Sequence, residues 1–273
     1  MHRHAFLGPR QDREDFLESA ARLVVDKQVD GDVLTASVTV TNARPPHAIP
    51  TGEPLRHLLV LVEARCEGQP LAATGGDVVP DYGGFEDSAR SATEASTWSG
   101  ARVGDVVRAI GEPGSWVDYT GYGPFGDGQF DLTARGLPTQ ELLGISTVTA
   151  VEGGVATFDP PLPSADRYYL SRPSMLPTGG EDPGAWAGSP GWAFARVLAD
   201  ADGNRMVPHH RAVDVVSDNR LLATASWTSS HEFRTSCASP EVEAVLLYRP
   251  WPRSLAVQRH WSMPERVVQR TIR

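Results

Sequence analysis

The chain has only two cysteines, Cys66 and Cys237, in 273 residues. Neither belongs to a Cys-x-x-Cys-His run, so this chain does not attach haem c covalently by the usual motif. Pairing in an oxidising compartment and two separate thiols in a reducing one both stay open. Lysine is almost absent: Lys27 is the only one, and arginine supplies the remaining positive charge. The formal charge of −9 argues against nucleic-acid binding, which wants a basic stripe. No apolar run reaches the roughly 18 residues of a membrane-spanning helix. Met1 to Gly8 lacks the apolar centre of a secretory signal and, read literally, places the protein in the cytoplasm. Gly-x-Ser-x-Gly, a Walker loop and a dinucleotide-binding glycine pattern are missing, which speaks against a hydrolase or a nucleotide enzyme. The EF-hand pattern is missing as well, so Asp202-Gly203-Asn204 reads as a β-turn.

What is present is a succession of short strands. Leu34, Ala36, Val38 and Val40 alternate with Thr35, Ser37, Thr39 and Thr41, the period of a half-buried strand. Leu58 to Val62 is continuously apolar, which suits a strand covered on both faces. Strands are also expected at 103–110, 193–198, 213–216, 229–233 and 242–248, with a final short element at 264–268. A hairpin is expected over 145–158, turning at Glu152-Gly153-Gly154. Residues 10–26 carry a broad apolar face and predict a short helix. The fold class is all-β, an antiparallel sandwich with an N-terminal helix. Residues 1–73 and 191–273 form the expected core, and the Gly/Pro/aromatic-rich stretch 74–190 reads as an inserted β subdomain.

Between the first two strands lies Thr41-Asn42-Ala43-Arg44-Pro45-Pro46-His47-Ala48-Ile49-Pro50-Thr51-Gly52, with Arg56 just beyond. Prolines restrict φ, Gly52 permits a positive φ, and Asn42 and Thr51 can bond local backbone, so the connection is an ordered loop. Two further segments stand out: Val207-Pro208-His209-His210-Arg211 followed by Ser217-Asp218-Asn219-Arg220-Leu221, and Val245 to Pro250 containing Tyr248 and Arg249. In combination these segments, covering a little over half of the chain, resemble the haem-free C-terminal β domain of multihaem c-type cytochromes. That family carries Thr-Asn, a Gly-His-x-Leu/Ile-Pro-Thr-Gly turn and an Arg-containing hydrophobic strand; here Pro46 replaces the glycine before the histidine. The resemblance implies a non-catalytic module that docks to a multihaem cytochrome or another electron-transfer protein, in the periplasm or another extracytoplasmic compartment. In the family, a segment similar to His2 to Gly8 follows the last haem-binding motif, so Met1 is expected to be a trimmed or misassigned start. His4, with His2 as the alternative, is then a candidate axial ligand to haem c held by a partner or by a missing N-terminal region.

The residues themselves leave a second reading open. His47, His209, His210 and His231 come from separate strand ends, and their convergence would make a copper or zinc site on the sandwich. The plain alternative is that His47 braces its turn and that His209 and His210 sit in another ordered loop. Asp214 and Asp218 with Arg220 are candidates for a buried ion pair, or for a solvated turn-capping set. A third reading uses the aromatics Trp98, Trp116, Tyr119, Tyr122, Phe125, Phe130, Tyr168, Tyr169, Trp186 and Trp192. They would form either a carbohydrate or small-ligand surface, or core.

Overall fold

The computed structural model describes residues 17–80, 88–98, 101–111, 141–171, 186–202, 204–252 and 265–273. Its strands, in chain order, are β1 (Ala21–Asp30), β2 (Val33–Asn42), β3 (His57–Cys66), β4 (Gln69–Pro70), β5 (Ala73–Gly76), β6 (Ser88–Ala89), β7 (Val106–Gly111), β8 (Glu141–Glu152), β9 (Val155–Asp159), β10 (Arg167–Ser171), β11 (Gly191–Ala199), β12 (Asp214–Asp218), β13 (Ser226–Arg234), β14 (Glu241–Arg249) and β15 (Arg266–Ile272). One short helix, α1 (Ala92–Ser96), follows β6 and is capped by the Ser91 side chain accepting from the Glu94 N–H. The all-β expectation holds, and every described pairing is antiparallel.

Three sheets form. The first runs β1-β2-β13-β5; the second runs β12-β11-β3-β14-β15, with β4 beside β3; the third runs β6-β10-β7-β8-β9. The first two make the sandwich. Leu34, Ala36, Val38 and Val40 of β2 point inward and are buried, while Thr39 and Thr41 turn outward and bond the hydroxyls of Thr228 and Ser226 on β13 at 2.8 and 2.7 Å. On the facing sheet, Trp192 of β11 stacks on Trp227 of β13 with ring centroids 4.9 Å apart. Strand β3 sits in the middle of the second sheet and is buried from His57 to Ala64, as its unbroken apolar run predicts. The third sheet joins the same apolar cluster through Ile110, Leu142 and Tyr169, and keeps a smaller cluster of its own around Ala109, Val148 and Tyr168.

One expected element is corrected. Residues 21–26 are not helical: they begin β1, where Ala21, Leu23 and Val25 face the core and pair with Asn42, Val40 and Val38. The apolar residues there satisfy a period of two as well as 3.6, and the open edge of β2 decides in favour of a strand. Residues 10–16 of the expected helix lie outside the described residues. The five described aromatics of the ligand-surface reading are core or packed against it: Tyr168, Tyr169 and Trp192 are buried, and Trp98 and Trp186 lie on the two clusters. Trp116, Tyr119, Tyr122, Phe125 and Phe130 lie outside the described residues.

Cys66 and Cys237 are joined by a disulfide, with Cα atoms 5.8 Å apart and 171 residues between them in sequence. It ties the far end of β3 to the segment after β13, and so one sheet to the other. Closing so long a loop restricts the unfolded chain, and the chain-entropy view assigns about 2–5 kcal/mol to such a bridge. Replacing both cysteines by alanine is expected to lower unfolding free energy in urea by that amount, with little change in far-UV circular dichroism. An unchanged midpoint would show that the bridge contributes nothing.

Candidate functional site

The three motif segments meet at the end of the sandwich opposite the disulfide. Asn42, the last residue of β2, is fully buried. Its Nδ2 donates to the carbonyls of His47 at 2.8 Å and Leu221 at 3.1 Å. Ile49 and Leu221 exchange two backbone hydrogen bonds, each 2.9 Å. The ordered loop is therefore fastened to the segment that follows β12. The Ile49–Pro50 peptide is cis, and Pro50 is buried. Gly52 has φ +84°, and a Cβ there would lie 2.5 Å from Nη1 of Arg56. The guanidinium lies across this glycine and donates to the Thr51 carbonyl at 3.0 Å. His47 itself is exposed, with Nδ1 3.1 Å from the Ala48 carbonyl, so it braces the turn.

Asp218 ends β12 and is fully buried. Arg220 donates to it through Nε and Nη2, both at 2.7 Å, and Arg196, its register partner on β11, brings Nε to 3.0 Å. Two guanidiniums thus hold one carboxylate. Asp214 is exposed and its Oδ1 accepts from the Val215 N–H, so it is not a member of this pair. Asn219 extends the fastening, accepting from the Ala195 N–H at 2.8 Å and donating to the Ala193 carbonyl at 2.6 Å.

The third segment supplies Tyr248 and Arg249 from β14, both buried. Arg249 lies opposite His57 in the ladder, and Ala195 lies on the other side of His57. Arg249 donates from Nε to Glu265 at 2.8 Å and also from Nη2 to the same oxygen. His57 was not singled out from sequence, although a polar residue heading a wholly apolar strand was the available signal. Its Nδ1–H donates to the Leu55 carbonyl at 3.0 Å. Burial, helped by the Arg249 charge, pushes its pKa down to about 3.

The imidazoles divide into different environments. His231 lies inside the sandwich; Nδ1–H donates to the Asp77 carbonyl and Nε2 accepts from Ser229 Oγ, each at 2.9 Å. Burial pushes its pKa down to about 4. Both ring nitrogens are committed to structure. Gly76 makes this possible: a Cβ there would lie 2.2 Å from the Ser230 carbonyl, so β5 approaches β13 only without a side chain. His209 and His210 lie in a 3-10 turn, His209–Arg211, with all three side chains exposed. His209 Nδ1 is 3.0 Å from Glu53 Oε2. The structure does not gather the four histidines into one donor set. Among the described residues no group of three or more His, Cys, Asp or Glu side chains is placed to hold a metal ion. His2 and His4 lie outside the described residues.

No known protein family matches the chain, and no curated protein does. Among solved structures it is similar to a penta-haem cytochrome c552 from Thermochromatium tepidum, at 14% identity and a TM-score of 0.46. The match covers 96% of this chain and 41% of that one. Among the described residues no helix is long and apolar enough to cross a membrane.

Two measurements test these assignments. Asp218→Ala would strand two arginines, one of them largely buried, and is expected to cost about 3 kcal/mol of unfolding free energy in urea; a cost below about 0.5 kcal/mol would show that the pairs contribute nothing. The second concerns pH. The native values of His57 and His231, about 3 and about 4, both lie below the ordinary 6.5. As pH falls below 6.5 the unfolded chain takes up protons that the folded chain refuses, so stability falls, and goes on falling until the native values are reached. For each histidine the expected slope steepens from about 0.7 kcal/mol per pH unit at pH 6.5 to about 1.4 near pH 5, as the unfolded imidazole becomes fully protonated. Urea unfolding between pH 6.5 and 5 should show it, and His231→Gln should roughly halve it; a flat profile in the parent would contradict the assignment.

Proposed function

We propose that the chain is a non-catalytic β-sandwich module of a multihaem-cytochrome electron-transfer system, acting by docking to or packing against a haem-bearing partner. The observation that carries this reading is the use made of the polar residues. Asn42, Arg56, Asp218, Asn219, Arg220, His57 and Arg249 spend their hydrogen bonds and charges on fastening one end of the sandwich. All of them but His57 lie in the segments that carry the resemblance to the haem-free cytochrome domain, and they serve architecture. The Cys66–Cys237 disulfide supports an oxidising, extracytoplasmic setting, since such bridges persist there and are rare in reducing compartments. In this reading His4, or His2, reaches a haem c held outside this chain as an axial ligand, where imidazole would set its potential.

The test is native purification from the source organism, with visible absorption and elemental analysis of the same sample. Haem bands that co-elute with the chain in stoichiometric amount, and that change in His4→Ala, are the expected result. A stable haem-free monomer with no haem protein in any fraction would count against the reading.

A further inference from the structure

The loop between β11 and β12 displays two neighbouring exposed imidazoles, His209 and His210. It is held at three points. Met206 and Val207 are buried behind it, and Met206 has φ +54°, a left-handed conformation that a non-glycine residue keeps only where its surroundings fix it. On one side Arg211 Nη2 lies 2.8 Å from Asp200 Oδ2, while Asp200 Oδ1 also accepts from the backbone N–H groups of Asp202 and Asn204 at 3.1 and 2.9 Å. On the other side Glu53 Oε2 lies 3.0 Å from His209 Nδ1. The second oxygen of Glu53, Oε1, is buried and has no hydrogen-bond partner among the described residues.

This is a rigid presentation of an exposed group. With Nδ1 engaged by the carboxylate, Nε2 is the nitrogen of His209 left for a ligand, and the side chain is 69% exposed. A carboxylate behind an imidazole fixes its tautomer and ring orientation, the arrangement commonly found behind metal-binding histidines. The rings of His209 and His210 have centroids 5.7 Å apart and planes at 89°. A first-row divalent ion sits about 2.1 Å from each imidazole nitrogen, so two rings sharing one ion at tetrahedral to trigonal angles have centres about 5 to 6 Å apart. The observed separation falls in that range.

We propose that His209 and His210 form a surface site for an imidazole-seeking divalent cation, Cu²⁺ or Zn²⁺, with Glu53 orienting His209 from behind and water completing the coordination. The site goes beyond the docking role and does not depend on it. With two protein ligands the site is weaker than a structural zinc centre, which has four.

The experiment is isothermal titration of the untagged full chain with Zn²⁺ alone and with Cu²⁺ alone. The parent should bind one equivalent that is lost in His209→Ala/His210→Ala, lost or strongly weakened in His210→Ala alone, and retained in His47→Ala. Glu53→Gln should weaken binding about 10- to 100-fold, the usual effect of removing an outer partner. Thermal melts of each variant establish that it is folded, and all three side chains are at least partly exposed, so the fold survives their replacement. A parent that binds neither ion, a double variant that binds as much as the parent, or Glu53→Gln with unaltered affinity overturns the proposal.

Discussion

The bond from Asn42 Nδ2 to the Leu221 carbonyl joins the end of β2 in one sheet to the segment that leaves β12 of the other, and the arrangement of the polar end is built around it. The two sheets share no strand, so their inner faces adhere through apolar contact that is strong but non-directional. Such contact does not by itself fix how the sheets are rotated or how far apart their ends stand. A fully buried carboxamide supplies direction, because it must find partners for its N–H groups or leave them unsatisfied. It finds the His47 and Leu221 carbonyls, which places the ordered loop and the end of β12 together. The Ile49–Leu221 bridge, the Asp218 arginine pairs and the Asn219 clamp on β11 then reinforce one geometry.

The same economy separates groups that build the fold from groups free to meet a ligand. His57 and His231 are kept neutral by burial, and their chemistry is spent on hydrogen bonds to backbone and, for His231, to the Ser229 hydroxyl. His209 has the opposite environment: a carboxylate behind it and solvent in front. Residue type alone does not distinguish these cases. Burial and the fate of each ring nitrogen do.

Much of the sandwich was legible in the sequence because its strands carry unambiguous patterns. The Leu34 to Thr41 alternation and the Leu58 to Val62 run placed β2 and β3 and even their different exposure. The turn at Glu152-Gly153-Gly154 placed the β8–β9 hairpin. Residues 21–26 misled because Ala21, Leu23 and Val25 fit two periods, and only the neighbouring β2 edge chooses between them. The pairing of Cys66 with Cys237 was not legible, since it depends on the ends of two strands from different sheets meeting in space. At the polar end, Asn42, Asp218, Arg220 and Arg249 were visible as motif residues, whereas their partners Glu265 and Arg196 were not. A partner that follows from register, such as Arg196 opposite Asp218, cannot be read before strand order is known.

The two ties lie at opposite ends of the molecule, and they differ in kind. One is a covalent bond between sulfurs; the other is the set of hydrogen bonds made by Asn42 and by the Ile49–Leu221 bridge. A force drawing the sheets apart would therefore not separate them evenly. The polar end would yield first, within the reach of the two chain connections that cross there, β2 to β3 and β12 to β13, and Trp192 and Trp227 would part while the disulfide end stayed shut.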